Sequence, residues 1–185
     1  MCKYLKLLGM ILGIVAFLGF KQQDAELTFL NKALMSNHYE IAVAKLAKQK
    51  SNNDEIKAYA EMLINDHQKI IDELQSLAKA KEMALTSDLD EEHQNKWDML
   101  NAKDSIQFNQ AFKEDAIAAH EQAISLFEQA SSDSAINDSA LKTLIISKLP
   151  GLKAHLDKAK VLQVDLVEDT SPSIPPQTKG EKMQE

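Results

Sequence analysis

Glu40, His67, His120 and His155 stand where the helical pattern of this 185-residue sequence calls for apolar side chains. Glu40 shares its face with Ala33, Ala44 and Ala47, and His67 lies among Leu63, Ile64, Ile70 and Ile71. His120 has Ala116, Ile117, Ala123 and Ile124 around it; His155 has Leu152, Ala159 and Leu162. Imidazole nitrogens with one carboxylate form a usual ligand set for zinc, and suit iron, copper, nickel or manganese as well. An ionised carboxylate among apolar side chains is costly unless it is paired or coordinates a cation. Two other readings stand beside a metal: a metal-free Glu–His hydrogen-bond network, and unrelated core positions. Asp66 beside His67, and Asp115 or Glu121 near His120, are candidates for outer partners of the imidazoles, with plain solvation as their alternative. His38 and His93 have mixed neighbours and read as surface or boundary positions.

Other chemistries find less support. The one cysteine is Cys2, so the rest of the chain offers no thiolate ligand, no cysteine nucleophile and no disulfide. No glycine-rich phosphate loop and no nucleophile elbow occurs. All 21 basic residues are lysine and the net charge is -7, which opposes a nucleic-acid partner and removes bidentate arginine recognition. A hydrolase or oxidoreductase would need an open coordination position and a substrate cleft. The sequence signals neither, and the expectation is a non-enzymatic protein. Met35, Met62, Met83 and Met99 form no Met-x-x-Met run and read as core filler.

The elements that must position these side chains follow from an absence: Asp24 to Leu149 contains neither glycine nor proline. A first helix is expected from Asp24 to about Lys50, on the spacing of Leu27, Leu30, Leu34 and Ile41. A second starts after Ser51-Asn52-Asn53, with Ser51 and Asp54 in the form of a capping box, and runs to about Lys81. Residues 83–103 read as a crossover with a cap at Thr86-Ser87-Asp88 and a short helix from Leu89 to Leu100, its Trp97 packed on the bundle. The third long helix spans Asp104 to Ala130, and a fourth runs from Asp138 to Glu168, broken or kinked at Pro150-Gly151.

Two short connections and one crossover of about 20 residues describe an all-α, ferritin-like four-helix bundle with a short helix between helices 2 and 3. Each of the four polar residues falls near the middle of its own helix, roughly 15 to 25 Å from the nearest turn at about 1.5 Å per residue. One glutamate and three histidines can therefore converge from four helices on one site. The domain is expected at 24–168 and a disordered tail at 169–185, where three prolines meet little apolar surface.

Lys3 and Lys6, the apolar run Leu7 to Phe20 and the polar Lys21 to Asp24 have the layout of a secretory signal peptide over residues 1–23. The run is shorter than a spanning helix needs. No Ala-x-Ala site lies near residue 20, and Phe17-Leu18-Gly19-Phe20 resembles a lipoprotein box with phenylalanine in the cysteine's place. Cleavage and a retained N-terminal anchor both stay open; export to the periplasm or envelope is expected either way, with no other integral membrane segment.

Several stretches together resemble a known family: Asp24-Ala25-Glu26-Leu27-Thr28-Phe29-Leu30, Tyr39-Glu40-Ile41-Ala42, and Ile56 to His67 with Asn65-Asp66-His67 at its end. Ala119-His120-Glu121 with Leu126-Phe127, and Leu149-Pro150-Gly151-Leu152 with His155-Leu156, continue the match. It is a bacterial family of unknown function, often described as outer-membrane proteins and grouped with ferritin-like bundles. The resemblance covers about residues 24–163. It implies the bundle, export, and weight on Glu40, His67, His120 and His155; it implies no activity. Where that family has Phe-Asp and a following tyrosine on the third helix, this chain has Phe108-Asn109 and Phe112. The Glu-x-x-His pairs of di-iron proteins are missing, since Ile64 and Ile117 stand in the acids' places.

Overall fold

The computed structural model describes residues 2–86 and 88–164, the backbone alone at 2–22 and 105–106. Five helices make it up: α1 Cys2–Lys50, α2 Asp54–Ala80, α3 Glu91–Asn101, α4 Ser105–Ser132 and α5 Ser139–Val161. Among the described residues there is no strand, and no helix is long and apolar enough to cross a membrane. The expected boundary between residues 23 and 24 does not coincide with a break, because α1 runs through it. The expected tail at 169–185 lies outside the described residues.

Side-chain caps set most helix starts, and two of them differ from the sequence reading. The N-cap of α2 is Asn53, whose side chain accepts from Glu55 N and Ile56 N; Ser51 is not the cap but accepts from Asn53 N at 3.0 Å. Three consecutive capping residues compete here, and the last one wins by lying next to the apolar stripe. Likewise α3 is capped by Asp90 rather than at residues 86–88, with His93 N donating to it. Asp104 and Asp138 cap α4 and α5, accepting from Gln107 N and Leu141 N.

No interruption occurs at Pro150-Gly151, as α5 runs through both. Proline removes the N–H that would have bonded the Ile146 carbonyl. Pro150 and Ile146 are both exposed, so water can take the place of that donor. The helix ends at Val161, short of the expected Glu168, because Leu162 turns to an extended ψ of 128° and buries its side chain.

The helix pairs α1–α2 and α4–α5 are antiparallel hairpins, and two further seams close the bundle. Phe29 meets Phe127 edge-on at 5.2 Å and Tyr39 bonds Asp115, so α1 and α4 run in opposite directions. Glu73 pairs with Lys148 and Asp66 with His155, so α2 and α5 do likewise. It follows that α2 and α4 are parallel, with the α3 crossover returning the chain between them. At one end the carboxylate of Glu26, 2% exposed, meets Lys81 Nζ at 2.9 Å and accepts from Asp138 N at 3.2 Å. Lys81 also pairs with Asp138 at 2.9 Å.

Apolar packing falls into two main clusters rather than one. The first gathers Tyr39, Leu46, Ile56, Leu63, Phe108, Phe112, Ala116 and Ala159; Trp97 of α3 packs against it. The second gathers Leu30, Ala33, Ile70, Leu74, Ala123, Phe127, Ile145 and Leu152. Met62 and Met83 pack at their edges, but Met99 is 68% exposed and is not core filler, since α3 turns it outward. Between the clusters each long helix leaves a gap: 33 to 39 in α1, 63 to 70 in α2, 116 to 123 in α4 and 152 to 159 in α5.

Candidate metal centre

Those gaps hold the polar layer. His67, His120 and His155 fall inside them and Glu40 borders the first, which is how a four-helix architecture brings one side chain from each helix to a common height. Glu40 is 4% exposed, His67 and His120 are fully buried, and His155 is 5% exposed. Small neighbours make room for them: Ala33, Ala44, Ala47, Ala60 and Ala159 are each 0% exposed. The three imidazoles surround one point, with ring centroids 5.3 to 5.5 Å apart. One nitrogen from each lies within 4.8 Å of the other two, so the group could hold a metal ion.

Hydrogen bonds around the outside fix which nitrogen faces in. His67 Nδ1 donates to Asn37 Oδ1 at 2.7 Å, and Asn37 is itself anchored by donating to the Ala33 carbonyl at 2.6 Å. His120 Nδ1 donates to the Ala116 carbonyl at 2.7 Å. His155 Nε2 donates to Asp66 Oδ2 at 3.2 Å. A neutral imidazole that donates from one nitrogen presents a lone pair at the other. All three rings therefore aim a lone pair at the centre: His67 Nε2, His120 Nε2 and His155 Nδ1.

The fourth inward atom is Glu40 Oε2, 3.4 Å from His67 Nε2 and 3.3 Å from His120 Nε2, while Oε1 accepts from Ser36 Oγ at 3.2 Å. None of these four inward atoms makes a hydrogen bond. Among the described residues the other buried side-chain atoms without a partner are His38 Nε2 and Asn109 Oδ1. Lone pairs that face one another without a proton between them repel, and a cation among them converts that repulsion into coordination. Ligands held tetrahedrally at about 2.0–2.1 Å from zinc stand about 3.3–3.4 Å apart. The two glutamate–histidine distances match that edge; the histidine nitrogens, within 4.8 Å of one another, are wider by at most about 1.5 Å, and Glu40 lies outside that group of three.

Burial disfavours the charged, doubly protonated form of two of the rings. Burial lowers the pKa of His67, with Glu40 opposing and His120 reinforcing the shift. For His155 the value falls to about 4, through burial first and then the neighbouring His67 and His120. Asp66 is held below the usual carboxylate range by Lys69 and His155, so it remains an anionic acceptor.

The four inward side chains are those singled out in the sequence, whereas of the three candidate outer partners only Asp66 meets an imidazole. Asp66 serves His155 across the α2/α5 seam rather than its own neighbour His67, because adjacent residues on a helix point about 100° apart. Asp115 does not touch His120; it accepts from the Tyr39 hydroxyl at 2.7 Å, and burial raises its pKa. Glu121 faces Lys160 at 3.6 Å on the exposed side. Asn37 was missed, though it stands in the same stripe as Ala33, Glu40 and Ala44, and a polar amide there is a readable signal. Of the two remaining histidines, His93 bonds Asp90 and His38 is partly buried, as boundary positions do.

Fold and site together define a helical-bundle protein with a buried three-histidine group able to hold a metal ion. The chain belongs to the family described as Domain of unknown function (DUF4142), which matches residues 19–162. No curated protein and no solved structure matches it.

Proposed function

We propose that the protein binds one divalent transition-metal ion, zinc, through Glu40 Oε2, His67 Nε2, His120 Nε2 and His155 Nδ1, and that it does so as a non-enzymatic, exported protein of the bacterial envelope with a ferritin-like bundle. The observation that carries the reading is a group of three buried imidazoles able to hold one ion, with Glu40 Oε2 3.4 and 3.3 Å from two of them, all four facing atoms being unpartnered while each side chain's other polar atom is engaged. Three neutral imidazoles and one carboxylate, with no thiolate, form a hard-to-borderline set that suits zinc and leaves a net charge of +1 on the site. A closed set of four protein ligands is the pattern of structural rather than catalytic zinc. Export is supported by the lysines and apolar run of residues 3–20.

Metal content by mass spectrometry on untagged protein tests the reading. Stoichiometric zinc in the wild type and none in Glu40→Ala/His67→Ala is the expected result; equal, substoichiometric metal in both would sink it. A second reading keeps the same residues without a metal: a proton shared between Glu40 and the nitrogens at 3.3 and 3.4 Å would make the cluster a core-specifying network in a structural or partner-binding envelope module. That version predicts a melting temperature indifferent to zinc and to chelators. For localisation, the mass of the mature chain recovered from fractionated cells separates cleavage from a retained anchor, and recovery of the intact chain in the cytosolic fraction would refute export.

A further inference from the structure

The four inward atoms are not equally shielded. Asn37, which holds His67, is 3% exposed, and His120 is held by a backbone carbonyl inside α4. Asp66, which holds His155, is 40% exposed on its side chain and is paired at 2.9 Å with Lys69, 71% exposed. His155 is also carried by the one described helix with a proline in its interior. Pro150 lacks the donor for Ile146 and Gly151 follows it, one turn before His155. Nothing lies within 4 Å of a Cβ built on Gly151, so no packing demand explains the glycine. Finally, α5 packs more extensively on α4 than on α2, and the α2/α5 seam is spanned near His155 by polar contacts: Asp66 to His155, Tyr59 hydroxyl to the His155 carbonyl at 3.1 Å, and Glu73 to Lys148 farther along. Such contacts can be exchanged for water, and the sparsely packed α2/α5 seam opens with less core exposed than the closely packed α1/α2 and α4/α5 seams.

Building on the metal-binding reading, we infer that a divalent cation reaches and leaves the centre through the α2/α5 seam, with His155 as the exchanging ligand and Asp66 as the positioning residue that orients it and first meets the cation. The carboxylate is suited to both tasks. It fixes the ring so that Nδ1 faces in, and it places one negative charge at the one histidine of the three whose outer partner is not buried. Lys69 offsets that charge and acts in the opposite sense. Once the ion is bound, the Asp66–His155 bond keeps the ligand closed on it, as outer carboxylates do for zinc-bound imidazoles.

Stopped-flow zinc uptake, and zinc release to an excess of fluorescent chelator, test this on the full chain. Asp66→Asn is expected to slow uptake several-fold, because it removes the steering charge, and to quicken release, for a loss of about 10–100-fold in affinity. Lys69→Ala is expected to quicken uptake. Glu121→Ala removes a comparable exposed charge next to His120 but on the α4/α5 side, and is expected to leave both rates as in the wild type. Opposite-signed effects of Asp66 and Lys69 are a signature that simple loss of structure does not produce. Zinc bound stoichiometrically by the wild type, with uptake unchanged in Asp66→Asn and Lys69→Ala, would overturn the route. A wild type that takes up no zinc would overturn the metal reading itself.

Discussion

Glu40→Gln separates a metal centre from a proton-sharing network, because the two predict opposite signs in the metal-free protein. The substitution keeps the shape of a side chain that is 4% exposed and exchanges a carboxylate oxygen for an NH₂ group. If the Nε2 atoms of His67 and His120 both present lone pairs, that amide can donate to each of them over the 3.4 and 3.3 Å that now separate oxygen from nitrogen. Two neutral hydrogen bonds at about 1 kcal/mol each, replacing a buried carboxylate, stabilise the metal-free fold by about 2 kcal/mol. At about 2–4 °C per kcal/mol for a chain of this size, the chelated variant melts about 4–8 °C above the chelated wild type. Zinc reverses the order. At a free concentration of about 1,000 Kd the wild type gains about 4.1 kcal/mol, whereas a variant that has lost a ligand and binds at least about 100-fold more weakly, the upper figure for losing a mere outer partner, gains at most about 1.4 kcal/mol. Thermal melts of both proteins with and without a chelator measure all four states. The reasoning fails if the chelated variant is the less stable one by about 3–5 kcal/mol, the cost of breaking a buried ion pair, because Glu40 would then be facing a protonated imidazole.

Three further outcomes follow from the same geometry. Asn37→Ala leaves His67 Nδ1 without its acceptor, and zinc affinity should fall by about 10–100-fold with a loss of about 1–3 kcal/mol in the metal-free fold; isothermal titration and denaturant melts check the two separately, and an unchanged affinity would refute the orienting role. Gly151→Ala should stabilise the protein by about 1 kcal/mol in urea unfolding, since a methyl there meets no neighbour and the helix gains propensity; a destabilised variant would show that the turn needs glycine. In chelated protein, the depressed pKa of His155 means the unfolded chain binds the extra proton first as pH falls. Stability is then fully present above about pH 6.5 and is lost progressively toward pH 4, by about 3 kcal/mol, with His67 adding in the same direction. Denaturant midpoints that stay flat from pH 7 to pH 4.5 would contradict that assignment.

The architecture was largely legible because periodicity reports local structure faithfully where no glycine or proline intervenes. Helix ends were less so: Ser51, Asn52 and Asn53 are all competent caps, and only the neighbouring stripe selects Asn53. Pro150 shows a different limit, since its effect depends on whether the orphaned carbonyl is wet, a property of the folded surface rather than of the tripeptide. The inward residues of the site could be read because a charged or imidazole side chain in an apolar stripe is a contradiction visible in one dimension. Their outer partners could not, apart from Asn37, because the pairing of Asp66 with His155 spans 89 positions and depends on how two helices face each other.

The buried Glu26 has a further consequence for how the helices are aligned. A bundle of alanine-rich and leucine-rich stripes can slide by one turn, about 5.4 Å, and still bury nearly the same apolar area. Such a slip would carry Glu26 away from Lys81 and from the Asp138 backbone N–H, stranding a carboxylate that is 2% exposed. That cost of several kcal/mol falls on every misaligned packing and on none of the correct one. The contacts at one end of the bundle thus act as a vernier, setting the register that brings Glu40, 14 residues farther along the same helix, level with the three histidines.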